Sequence, residues 1–173
     1  VEQKKGLPTL ERLRQLLIYE PATGIFYWAI ERPGIKKGSR AGTVNPQGYE
    51  QVGIDRIHVL SHRLAWFYMY GEWPEPFIDH INGVRNDNRL SNLRVASRAE
   101  NSRNYRKQRK SKNRYKGVSY CSFYGKYVAN IQANGKRKFL GYFADEEEAR
   151  SVYVKAAKEL HGEFAHDGEN PLI

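Results

Sequence analysis

The chain has 173 residues, 40% of them hydrophobic, with mean hydropathy −0.75, a net charge of +10 and a pI near 9.7. That length allows one domain or two small ones, and the basic excess is the footprint of a polyanion binder. A single cysteine, Cys121, excludes an intrachain disulfide and favours a reducing compartment. No apolar run approaches the roughly 18 residues of a membrane span, and no signal peptide opens the chain, so a cytoplasmic protein is expected.

From the N-terminus, Thr9 is placed to cap a helix over residues 10–18, with Leu10, Leu13, Leu16 and Leu17 at helical spacing. Pro21 and Gly24 end it, a strand follows over residues 25–30, and residues 32–39 form a basic loop broken by Gly and Pro. Residues 49–54 and 57–60 predict a hairpin turning at Asp55-Arg56. Ser61 then caps an aromatic helix over residues 63–70, apolar on nearly every side and so expected to be buried. His62 starts this helix, where a capping or core-edge role is the ordinary reading and a place in a reactive site the alternative.

Residues 78–101 carry the chemistry. Asp79-His80 precedes a polar loop containing Gly83, a short apolar run spans residues 93–96, and Ser97 with Glu100 reads as a capping box. Strand, loop, strand, helix is the predicted order. It draws Asp79 and His80 toward Asn101 in the helix. Asp79 offers a carboxylate and Asn101 an amide oxygen, the donors that Mg²⁺ takes beside water and phosphate. His80, neutral near pH 7, can take a proton from an attacking water. Adjacent strand residues point to opposite faces, so the strand must end or bend after His80; Asn82-Gly83 permits that. Asn86, Asp87 and Asn88 are expected to be a solvated loop rather than ligands.

Asp79-His80, Asn92 within Asn-Leu-Arg, and Asn101 resemble the HNH nucleases, whose ββα-metal fold holds one divalent cation. The resemblance extends over residues 60–104. It implies His80 as general base, Asp79 and Asn101 as metal ligands, and Asn92 as a brace for the loop and the histidine. There is no pair of cysteines, so the structural zinc of some members is not expected.

Between Arg103 and Lys116 stand eight basic residues and no acidic one. Such a run, with Arg103, Arg106, Lys107, Arg109 and Lys110 at its heart, gains by displacing counterions from DNA phosphates. It is expected to track the DNA backbone as a tether.

Three strands are predicted over residues 117–123, 126–133 and 136–143, with Asn134-Gly135 a hairpin turn. Asp145 caps a final helix whose inner stripe is Ala149, Val152, Tyr153, Ala156, Ala157 and Leu160, ended by Gly162. Tyr127, Ala129 and Ile131 face this helix, while Lys126, Val128, Asn130 and Gln132 face away. The pieces Tyr-Lys-Gly-Val from Tyr115, Gly-Lys-Tyr-Val-Ala-Asn-Ile from Gly125 and Phe-Leu-Gly-Tyr-Phe from Phe139 resemble the plant ethylene-response-factor type of DNA-binding domain. The resemblance implies a sheet lying in the major groove, with contacts from Lys116, Ser119, Cys121, Tyr124, Asn130, Gln132, Arg137, Phe139 and Tyr142. Ser119, Cys121 and Gln132 replace arginines frequent in plant members, so their target sequence does not carry over.

The combined expectation is an α+β chain: a ββα-metal nuclease domain (residues 1–104), a basic linker (105–114) and a three-stranded antiparallel sheet packed on one helix (115–173). It resembles phage homing endonucleases, which implies site-specific, Mg²⁺- or Mn²⁺-dependent cleavage of double-stranded DNA. One cation per site, nicking of one strand, a monomer and action inside a phage-infected host are expected. The alternatives are a DNA-binding regulator with a decayed nuclease unit and an RNA-binding protein.

Overall fold

In the computed structural model, which describes residues 6–104, 114–133 and 135–165, the first helix begins where Thr9 predicts it. The Thr9 side chain accepts from the Arg12 backbone N–H at 3.1 Å and opens α1 (Leu10–Leu16). This helix is shorter than expected. Leu17 turns extended and starts β1 (Leu17–Glu20), which buries Leu17 and Tyr19 and exposes Ile18 and Glu20. A β-branched residue beside an aromatic favours the pleated form, and β2 (Ile25–Trp28) supplies an antiparallel partner in the register Leu17↔Trp28. β3 (Arg40–Ala41) completes this sheet on the far side of β2.

A second sheet runs β4 (Thr43–Val44), β5 (Glu50–Ile54), β6 (Ile57–Leu60). The predicted turn at Asp55-Arg56 is present, with φ of 46° and 72°. Both residues are left-handed, as the two-residue turn of a twisted hairpin requires. Strand β6 leads directly into α2 (Ser61–Tyr70), for which Leu60, not Ser61, holds the cap position and makes no side-chain bond. Ser61 is instead wholly buried in the first helical turn. The helix is also less enclosed than its composition suggests: Leu64, Ala65 and Phe67 are buried, while Met69 and Tyr70 reach solvent.

Leu13, Leu16, Leu17, Phe26, Val52, Ile54 and Leu64 form the centre of this core, each worth roughly 1.5–3 kcal/mol when fully enclosed. Against it packs the hairpin of β7 (Phe77–His80) and β8 (Leu93–Ala96), entered through a 3₁₀ turn, η1 (Leu90–Asn92). Ile78 and Leu93 plug the hairpin into the core.

The chain divides into two compact units at Ser97, so α3 (Arg98–Asn104) falls with the second rather than with the hairpin before it. That second unit contains an antiparallel sheet in the order β11 (Lys136–Phe143), β10 (Lys126–Ala133), β9 (Val118–Cys121). Strand β9 stops short of the expected Phe123. Asn134 lies outside the described residues, and the neighbouring Gly135 has φ 75°. Asp145 caps α4 (Glu146–His161), accepting from the Glu148 N–H at 2.8 Å, before the short η2 (Gly162–Phe164).

Ala129 and Ile131 are buried against Ala149, Tyr153 and Ala157. The inner stripe of α4 is therefore Ala149, Tyr153, Ala157 and His161, while the expected Leu160 lies 39% exposed. Gly117, at φ 74°, is a required glycine, because a Cβ there would come within 2.2 Å of the Tyr153 ring. The whole is a mixed α and β chain of small antiparallel sheets. Among the described residues no helix is long and apolar enough to cross a membrane.

Candidate active site and nucleic-acid face

Strand β7 ends at His80, and the chain bends at once. Gly83, at φ 67°, donates its N–H to the His80 carbonyl at 2.7 Å, and the Ile81 N–H reaches the Asn92 carbonyl at 2.9 Å. Ile78, Asp79 and His80 are all buried, so both faces of the strand end are covered.

Asp79 meets its cross-strand partner Arg94, which donates from Nε at 2.9 Å and Nη2 at 2.8 Å to the carboxylate Oδ2. With side chains 6% and 13% exposed, this is a buried ion pair. His80 points elsewhere. Its Nε2 lies 3.2 Å from Asn88 Oδ1, and its ring stands edge-on to His62, centroids 5.0 Å apart. Burial pushes the His80 imidazole below its ordinary titration range, partly offset by the Asn88 hydrogen bond and by Asp79. Burial, with His80 and Arg63 nearby, pushes His62 down to about 3. His62 is thus a buried neutral ring against His80, rather than a helix cap.

Asn92 ties the loop. Its Nδ2 donates to Asn82 Oδ1 at 3.0 Å and to the Asp87 carbonyl at 2.8 Å, while its Oδ1 accepts from the Asn82 N–H at 3.0 Å. These three bonds all tie it to the loop. The carboxamide that touches the His80 ring is Asn88.

Asn88 is 1% exposed, which overturns the expectation of a solvated loop there. Its Nδ2 donates to Glu50 Oε2 at 3.1 Å, and Arg40 holds the other Glu50 oxygen at 2.7 Å. Asp87 is likewise engaged, by Asn82 and Arg89, and the Arg89 guanidinium lowers its carboxyl below the usual range. Sequence reasoning missed Glu50, although a signal existed. Strand alternation puts Glu50 on the same face as Val52 and Ile54, and a charge at an inward position needs a partner. Nothing in the local sequence marked Asn88.

Asn101 stands on α3, in the second unit. Among the described residues no group of three His, Cys, Asp or Glu side chains could hold a metal ion. The Asp79 carboxylate is a hard oxygen donor of the kind Mg²⁺ takes, since that ion needs only one or two protein groups beside water and phosphate. Arg94 already occupies Asp79 Oδ2 and would have to share it.

In the second unit, register places Ser119, Cys121, Asn130, Gln132, Arg137, Phe139 and Tyr142 on the face turned from α4. A slip between Ala129 and Asn130 keeps Phe139 opposite Asn130. Tyr124, in the β9–β10 turn, packs on Tyr142 at 4.8 Å, and Phe123 and Phe139 extend the row at 4.8 and 5.0 Å. Lys116 is partly buried, and that burial pushes its ammonium down to about 8. The Arg103 side chain, with Arg106, Lys107, Arg109 and Lys110, lies outside the described residues.

A histidine and an aspartate thus stand at a buried strand end, before an asparagine-tied loop. Residues 59–103, which span that stretch, match the HNH endonuclease family model. The chain is 35% identical over 116 residues to an uncharacterized HNH endonuclease of Acanthamoeba polyphaga mimivirus, covering 66% of this chain and 59% of that protein. It is 30% identical over 105 residues to protein 3.8 of Escherichia phage T7, covering 60% of this chain and 86% of that one. No solved structure matches. Residues 59–103 thus carry an HNH endonuclease segment, and the chain is a relative of protein 3.8 of phage T7. It spans 59% of the length of the mimivirus relative.

Proposed function

We propose that the protein is a divalent-metal-dependent, site-specific DNA endonuclease of the homing type that nicks one strand of a duplex. The observation that carries this reading is the coincidence of the family match with the hairpin that buries Asp79 and His80 side by side. In this reading Asp79 and Asn101 would hold Mg²⁺ or Mn²⁺, which would supply charge stabilisation to the phosphate and the leaving oxygen. His80 accepts a proton from water as the water oxygen bonds to phosphorus and the scissile P–O bond breaks. Its depressed basicity keeps the ring neutral and able to accept that proton near pH 7. Asn92 holds the loop behind the histidine in one conformation.

The second unit supplies duplex recognition. Asn130 and Gln132 are suited to adenine and Arg137 to guanine, while the basic run from Arg103 to Lys116 follows phosphates. A single hydrolytic centre on a monomer accounts for nicking. The ββα-metal arrangement, the relation of the sheet to plant ethylene-response-factor domains, and action inside an infected host cell belong to the same proposal.

The Asp79–Arg94 ion pair favours a second reading, a DNA-binding regulator whose nuclease unit no longer binds a cation. Conversion of supercoiled plasmid carrying a target site to the open circle, with Mg²⁺ or Mn²⁺ and with chelator, separates the two. The endonuclease nicks with metal, stops with chelator, and loses nicking but not binding on His80→Ala. Tight binding with no cleavage in either metal establishes the regulator.

A further inference from the structure

Behind the His80 ring runs a chain of polar groups, the buried Asn88 and Glu50 with the exposed Arg40 at its outer end. Its direction is fixed at the Glu50 end. The Asn88 Nδ2 faces two oxygens, Glu50 Oε2 at 3.1 Å and the Asn86 carbonyl at 3.5 Å. An amide turned the other way would set its oxygen against both and leave a buried acceptor without a donor, so the –NH₂ belongs there. The atom left to face His80 is the carboxamide oxygen, which can only accept.

We propose that Asn88, oriented by Glu50, is a positioning residue that holds the His80 proton on Nε2 and so presents the Nδ1 lone pair as the ring's base. This rests on the nuclease reading above for its function, though not for its geometry. An Asn is well suited to the role, since it selects a tautomer without placing a second carboxylate beside Asp79 and the substrate phosphate.

The rest of the unit is built to keep Asn88 still. The Tyr19 hydroxyl donates to the Asn88 carbonyl at 2.7 Å, and the Leu90 N–H reaches the Pro21 carbonyl at 3.2 Å. Gly24, at φ 76°, lets the β1–β2 turn lie so close that a Cβ there would be 2.3 Å from the Arg89 nitrogen. Glu50 is 2% exposed, so the carboxylate end of the chain is as enclosed as the amide it holds. The first two sheets thus converge on one side chain, which in turn touches the histidine.

The test is the imidazole ¹⁵N spectrum of the full chain labelled at histidine, with the His80 signals assigned by their loss in His80→Asn. The wild-type spectrum is expected to show a protonated Nε2 and an unprotonated Nδ1. Asn88→Ala is expected to abolish that preference and to lower kcat for nicking at least about tenfold, with KM for DNA little changed. The paired exchange Asn88→Asp with Glu50→Gln reverses donor and acceptor between the two side chains while keeping an oxygen toward His80. It is expected to restore the Nε2–H form and to recover cleavage relative to Asn88→Ala. A wild-type His80 protonated on Nδ1 overturns the proposal, and so does an Asn88→Ala protein with an unchanged His80 spectrum. If Asn88→Ala does not fold, the wild-type and exchanged proteins decide alone. An Nε2–H spectrum in a chain that never nicks DNA leaves the tautomer assignment standing and sinks the nuclease reading instead.

Discussion

Asp79 and Arg94 illustrate how a single buried contact carries competing demands. Two charges enclosed on neighbouring strands are held by each other, and removing one strands the other in a poor solvent. Arg94→Met is therefore expected to lower stability by about 3–5 kcal/mol, read by urea denaturation. If Asp79 also binds a cation, Mg²⁺ should recover more stability in this variant than in the wild type, because the competitor for Oδ2 is gone. Equal Mg²⁺ effects in the two proteins would count against Asp79 as a ligand. His62 sets a different constraint. Its folded-state basicity is depressed to about 3, whereas the unfolded ring protonates near the ordinary 6.5. Between those values the unfolded chain binds the additional proton, so stability falls as pH drops below 6.5. His80 contributes in the same direction, and Arg63 presses on His62 from its own helix. His62→Phe is expected to flatten the melting temperature against pH across that acid range, while an unchanged slope would show that His62 is not buried neutral.

At the scale of elements, the β7–β8 hairpin and the outer face of the β9–β11 sheet pose separate problems. The hairpin is specified by contacts far apart in the chain. The sheet face is instead an exposed aromatic row, with Phe123 85%, Tyr124 56% and Phe139 52% exposed. Such rings add nothing to the core beneath them, and register sets Lys126 and Arg137 on the same face. Phe123→Ser and Tyr124→Ala together should leave the melting temperature within about 2 °C, since exposed positions usually move stability by no more than about 0.5 kcal/mol. Affinity for target DNA, measured by fluorescence anisotropy, should drop several-fold. Unaltered affinity would remove this face from the proposed interface.

For the molecule as a whole, charge decides how it meets its partner. A net +10, with eight cations and no anion between Arg103 and Lys116, would make the proposed DNA binding strongly salt-dependent. Replacing Lys107, Arg109 and Lys110 by glutamine is expected to reduce the slope of log K against log salt by about 0.9 per lost phosphate contact. The preference among duplex sequences should stay as it was, because phosphate contacts position a protein without reading bases. A changed preference with an unchanged slope would mean that the run reads sequence.

Much was legible in the chain itself because it depends on neighbours only. Thr9 and Asp145 cap helices through their own backbones, Asp55-Arg56 turns a hairpin, and alternation sorts the two faces of β10. Residues 59–103 likewise match the HNH endonuclease model as a sequence, without any folding. What tertiary structure alone decided lies where a residue's fate depends on a distant partner. Residues 17–20 became a strand because β2 was there to pair with them. Asp79 took Arg94 across a ladder, and Asn88 was drawn from a polar loop into the interior by Glu50, 38 positions away. Buried polar groups must find hydrogen-bonding partners wherever the fold places them, and that pairing is set by packing rather than by sequence order.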